Sequence, residues 1–192
     1  MEVFFKDLAN QIEEAVKKAV KEILKEIGEE KIYAAALVTD SDCITLYLAL
    51  NTYEYMKKKD EKYIEMLHDD LSEEKIKSVR EGRASLTKWI PDEWGYSDGR
   101  DSELVKISEL LYAKEESNPE EYAKHIDLFF EAVTSAFKNL IELNIFGEAS
   151  EEITYFISMT DDERTPEIEN YSAKLLNSEN VYKDFLNRIP DM

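Results

Sequence analysis

The chain is poor in residues that cross-link, ligate or punctuate: one cysteine, two histidines, four prolines and five glycines in 192 residues. A single cysteine excludes an internal disulfide and makes a reducing compartment the expected setting. Cys43 opens an apolar run and reads as a small buried hydrophobe. Five scattered glycines exclude a phosphate loop and a dinucleotide fingerprint, and no Gly-x-Ser-x-Gly elbow is present. His68 and His125 fall on separate predicted helices without a paired-His or paired-Cys motif, so no metal ligation is expected of them. Basic residues are scarce as well. Twenty-four Lys and Arg stand against 43 Asp and Glu, for a net charge of −19. A field of that sign repels nucleic acid and anionic membranes and favours basic partners, besides keeping the chain dispersed. The longest apolar run, residues 32–38, is far too short for a bilayer, and the start MEVFFKDLANQIEE lacks the pattern of a signal peptide. The expectation is a soluble cytoplasmic protein.

What is present is enough for a core. Hydrophobic residues make up 43% and aromatics 11%, and the length suits one domain over residues 1–192. The organising stretch is 31–51, KIYAAALVTDSDCITLYLALN, two apolar runs about a polar turn. It predicts a β-hairpin, residues 31–50. Alternation puts Ile32, Ala34, Ala36 and Val38 on one face and Tyr33, Ala35 and Leu37 on the other. The second run puts Ile44, Leu46, Leu48 and Leu50 together. Both faces are apolar, so this is the centre of the sheet. Three- and four-residue spacing predicts helices over 3–27, 52–68, 102–115 and from Pro119 to about Leu143. Shorter ones are expected over 72–79, 166–176 and 181–189. Thr52 reads as an N-cap, Gly28 as a C-cap and Gly147 as a helix stop. Residues 152–160 alternate as a further strand, and residues 84–89 suggest a short fourth one within an irregular segment. The fold class is α+β: a small, mainly antiparallel sheet on a central hairpin, packed with amphipathic helices.

Two places invite chemistry. The first is KWIPDEWGY, residues 88–96, with two tryptophans and a tyrosine around a proline and two carboxylates. Trp89, Asp92, Glu93, Trp94 and Tyr96 are the candidate partner contacts, since loop aromatics form recognition surfaces. Trp89 and Trp94 better suit a satellite core folded under the loop, since large aromatics in an irregular segment usually anchor it. The second is acidic. If the later strand runs parallel to the first, Asp40 and Asp42 of the hairpin turn meet Asp161, Asp162 and Glu163 at one sheet end. Oxygen ligands suit Ca²⁺ or Mg²⁺, though Asp is also a common turn residue. No two carboxylates stand out as an acid–base pair. No cofactor is expected.

The chain resembles a bacterial domain-of-unknown-function family, number 4303. The likeness is carried by the opening amphipathic helix, the strand IYAAALVTD, the second strand ending LALNT, and a Trp-x-Pro-x-Glu-Trp element at Trp89, Pro91, Glu93 and Trp94. It continues through Phe146-Gly147 after a long helix, a strand ending in acidic residues, and the closing LLNSENVYKDFL. The resemblance implies no established activity and no catalytic residues. Small acidic α+β families of this kind look like immunity partners of bacterial toxins, an association of fold and company. The expected function is therefore non-enzymatic binding of a basic protein such as a toxin domain. The alternative is a hydrolase-like or divalent-cation-binding protein using the acidic sheet end.

Overall fold

The computed structural model of the protein describes residues 1–114, 118–147 and 150–188. Among these, seven α-helices surround a four-stranded sheet. The helices are α1 (Glu2–Ile27), α2 (Tyr53–Met66), α3 (Glu73–Arg80), α4 (Glu103–Tyr112), α5 (Pro119–Glu142), α6 (Thr165–Leu176) and α7 (Glu179–Leu186). The strands are β1 (Ile32–Thr39), β2 (Tyr47–Thr52), β3 (Tyr96–Ser97) and β4 (Thr154–Met159), in the order β3-β2-β1-β4. β1 is antiparallel to β2 and parallel to β4, and β2 is antiparallel to β3. The class is α+β, with two antiparallel pairs and one parallel pair. None of the described helices is long and apolar enough to cross a membrane.

The long helices follow from their stripes. In α1, Phe5, Leu8, Ile12, Val16, Val20, Ile23 and Ile27 are all buried. In α5, Phe129, Val133, Phe137 and Leu140 do the same, after an Asn118 side chain that accepts from the Glu120 amide and Pro119 in the first turn. These helices and α4 pack on one face of the sheet, against Ala35, Leu37, Leu48, Leu50, Tyr155 and Ile157. α5 ends at Glu142, at the expected limit near Leu143, and Asn144 (φ 56°) takes the left-handed backbone ahead of Gly147 (φ 102°).

The other face carries Ala34, Ala36, Val38, Ala49 and Phe156, covered by Met56, Trp94, Ala173 and Phe185. Tyr33 joins this group, against the simple alternation. The β1–β2 register shifts between Ile32 and Ala34, so Tyr33 is an extra residue, a bulge. Ile32 is thereby returned to the helix-covered face with Ala35 and Leu37.

Two further expectations are corrected. β2 starts at Tyr47, three residues after Ile44, because polar side chains take the intervening backbone groups. The Ile44 amide donates to Asp40 Oδ1 (2.9 Å), the Leu46 amide to Ser108 Oγ (3.0 Å), and Thr39 Oγ1 donates to the Thr45 carbonyl (2.7 Å). Residues 84–89 form bends and turns; the fourth strand is the two-residue β3. Of the expected helix limits, residues 115 and 189 lie outside the described residues. The open edge of β4 is closed by α6 side chains and its cap. Ser172 Oγ accepts from the Ile157 amide, and Asn177 brackets the Tyr155 amide and carbonyl.

Candidate functional site

The aromatic tract is assembled by one buried polar network. Asp60, on α2 and 3% exposed, accepts from the Leu86 amide, the Thr87 amide and the Thr87 hydroxyl through a single oxygen. The Lys88 carbonyl next door accepts from Tyr33 Oη (2.7 Å) and Trp94 Nε1 (3.1 Å), while Asn51 Nδ2 donates to the Tyr33 oxygen (2.9 Å). Burial raises the Tyr33 phenol well above its ordinary pKa, so it stays a donor. Gly95 completes the fit: a Cβ there would lie 2.5 Å from the Tyr55 ring.

This network sets where each candidate contact points. Trp94 is 8% exposed, edge-on to Phe156 with ring centroids 5.7 Å apart. Trp89 is half-buried, edge-on to Phe185 (5.0 Å) and Tyr33 (5.9 Å). Tyr96 donates to Glu30 Oε2 (2.9 Å), and burial beside that carboxylate pushes its phenol up to about 12. Asp92 is exposed and accepts from Tyr47 Oη. Glu93 pairs with Lys59 (2.8 Å), whose ammonium, with Tyr63, holds the carboxyl below its usual range. The tryptophan rings therefore pack on the sheet, and the two carboxylates each have a surface partner.

The acidic sheet end does form, because β4 is parallel to β1 and the Thr160 amide donates to the Thr39 carbonyl (2.9 Å). A cation of the chain sits in it. Arg164 bonds Asp162, holding that carboxyl down at about 2, and reaches the Ser41 carbonyl (3.3 Å). Asp40 is used by the Ile44 amide, and Asp42 accepts from Tyr122 Oη (2.9 Å). Asp161 takes a left-handed backbone, φ 54°. Among the described residues no three His, Cys, Asp or Glu side chains converge as metal ligands. Cys43 is fully buried, its thiol pushed up to about 12, and His125 is in the core edge-on to Phe5.

One feature was not anticipated. Between α2, α3, the 82–89 segment and α7 lies a cleft of about 730 Å³. Lys57, Lys75, Arg80, Arg83, Lys88 and Arg188 line it, against the carboxylates Asp60, Glu61, Glu152 and Asp184. Its sequence signal is residues 75–88, KIKSVREGRASLTK, with five cations and one carboxylate in a chain of charge −19.

The fold and these sites define a small-sheet α+β protein, helix-clad on one face and sealed on the other by an anchored tryptophan tract. The chain belongs to the family described as a domain of unknown function, DUF4303, whose sequence model matches residues 12–178. No curated protein and no solved structure matches it.

Proposed function

We propose that this protein is a non-catalytic binding protein whose partner is a basic protein, such as the nuclease domain of a toxin that it would neutralise by capping. The net charge of −19 carries this reading. Such a field steers a cationic partner into encounter and disfavours anionic ones. Cys43 and one of the two histidines, His125, are committed to the core, and among the described residues the exposed His68 has only Asp69 within hydrogen-bond reach (3.5 Å). The candidate contact surface is Asp92, Glu93, Tyr96 and the open edge of Trp89, with Trp94 supporting it from below. A divalent-cation or hydrolytic centre at the acidic sheet end is supported less well, since Arg164 already neutralises Asp162 there; calorimetric titration with Ca²⁺, Mg²⁺ and Mn²⁺ tests it directly.

The experiment is co-purification at low and moderate salt, followed by assay of the captured chain. A stoichiometric basic partner that loses its activity in the complex, and is released as salt rises, is the expected result. Charge reversal by Asp92→Lys with Glu93→Lys should slow association at least about tenfold. A partner that is acidic, or bound equally at every salt concentration, overturns the proposal.

A further inference from the structure

The cleft beside the tryptophan tract differs electrostatically from the rest of the molecule. Three of its four carboxylates are already engaged: Asp60 by the 86–87 backbone, Glu61 by Arg80 (3.2 Å) and Glu152 by Lys31 (2.7 Å). Among the cations, Arg80, Arg83 and Arg188 have carboxylate partners. Lys57, Lys75 and Lys88 have none within 4.0 Å among the described residues, in a chain carrying 43 acidic side chains. Asp184 and Asp60, whose amide and hydroxyl donors carry no charge, are left to offset the three lysines.

Lys88 is the centre of this imbalance. It is half-buried, and its ammonium sits 4.7 Å from the Trp89 ring centroid and 5.7 Å from that of Tyr33. Burial lowers its pKa, with distant Asp184 opposing. Its backbone is held at both ends, the amide donating to Ser85 Oγ (3.0 Å) and the carbonyl accepting from Tyr33 and Trp94. The cation is therefore preorganised, at a desolvation cost that Asp184 offsets only in part. Beside it, Tyr33 and Tyr53 present rings 4.9 Å apart.

We propose that this cleft binds a small organic phosphate carrying a planar ring, with the phosphate on Lys88, Lys57 and Lys75 and the ring against Trp89 and Tyr53. Three cations without ion-pair partners, against two carboxylates, suit a dianionic phosphate better than a single carboxylate. The volume lies within the ~300–1,000 Å³ usual for small-molecule pockets. A polymeric nucleic acid is disfavoured, because its backbone would run out of the cleft across an acidic surface.

Calorimetric titration with AMP, GMP, FMN and pyridoxal 5′-phosphate, with inorganic phosphate and adenosine as half-ligands, tests this without any protein partner. At least one ring-bearing phosphate should saturate below about 1 mM and bind more tightly than either half-ligand. Lys88→Met keeps the stem over Trp89 and should weaken that ligand about tenfold or more. Its thermal midpoint should be unchanged or higher. The exposed pair Lys57→Ala and Lys75→Ala should also weaken it, and carries the test if Lys88→Met fails to fold. The proposal is overturned if none of the four binds below about 1 mM. Undiminished binding by Lys88→Met and by the double variant, or inorganic phosphate binding as tightly as the best ring-bearing ligand, overturns it equally.

Discussion

On one face of the sheet, α1, α4 and α5 lay Leu8, Ile12, Leu104, Phe129, Phe137 and Leu140 against the strands, and the cover is nearly all hydrocarbon. On the other, aromatic rings from loops and short helices are placed by Asn51, Asp60, Thr87 and, further along, Ser158, Glu169 and Ser172, all buried and polar. The first face is held by area removed from water, which is non-directional and tolerant. The second depends on particular hydrogen bonds, where losing one atom leaves several donors dry. The difference has a functional side. Nonspecific packing needs no opening, whereas the polar scaffold leaves the cleft and holds Lys88 at its wall.

The largest expected effect comes from the hydrocarbon face. Phe137→Ala removes a fully buried ring that meets Phe146 and Tyr155 and should cost about 3–5 kcal/mol in denaturant unfolding. Asp60→Ala should cost about 2–4 kcal/mol, since it orphans the Leu86 amide and the Thr87 hydroxyl and leaves the Thr87 amide only Ser85 Oγ (3.2 Å). Its hydrogen exchange should rise first in residues 84–89 and spare α1 and α5, which would confirm that the two faces are held separately. Gly95→Ala drives a methyl into the Tyr55 ring. A loss of about 1–3 kcal/mol is expected, largely recovered when Tyr55→Ala is combined with it in a double-mutant cycle.

A subtler distinction comes from pH. Burial raises the Glu169 carboxyl above its ordinary 4.5, with Ser158 and Arg188 opposing in part. The folded state therefore holds this proton more tightly than the unfolded one. The resulting stability is fully present below about 4.5 and is lost as pH climbs through the folded pKa. Glu169→Gln should gain on the wild type as pH is raised from about 4 to 7; a gap that is constant with pH, or runs the other way, contradicts the burial argument. The smallest effect belongs to Tyr155→Phe. The Tyr155 hydroxyl is buried on the hydrocarbon face with no hydrogen-bond partner among the described residues. Removing it should leave stability within about 1 kcal/mol of wild type, on the favourable side.

The two faces were unequally legible. The α1 and α5 stripes repeat at helical spacing because their targets are broad and apolar, so periodicity alone names Phe5, Leu8, Phe129 and Phe137 as core. The alternation of residues 152–160 also holds, with Tyr155 and Ile157 on the helix-covered face and Phe156 on the other. Alternation failed at Tyr33, where a bulge set by pairing with β2 resets the parity, and at Ile44, where Asp40 and Ser108 replace strand partners. The tryptophan tract was visible as composition, yet whether its rings faced out or in depended on Asn51 and Lys88, 37 residues apart in sequence. The cleft left one trace, the basic run at 75–88. That run becomes a site only when α7 and Tyr53 close around it.

By itself the sequence determined the amphipathic helices, the hairpin, the α+β class and the strongly acidic field, since each is a local pattern or a sum over residues. Only the tertiary structure decided the bulge, the inward turn of Trp94, the reach of Arg164 to Ser41 at the acidic end and the absence, among the described residues, of an ion-pair partner for Lys88. Those depend on which polar groups distant segments bring within hydrogen-bond reach of one another, and a hydrogen bond or a missing counter-charge has no periodicity to read.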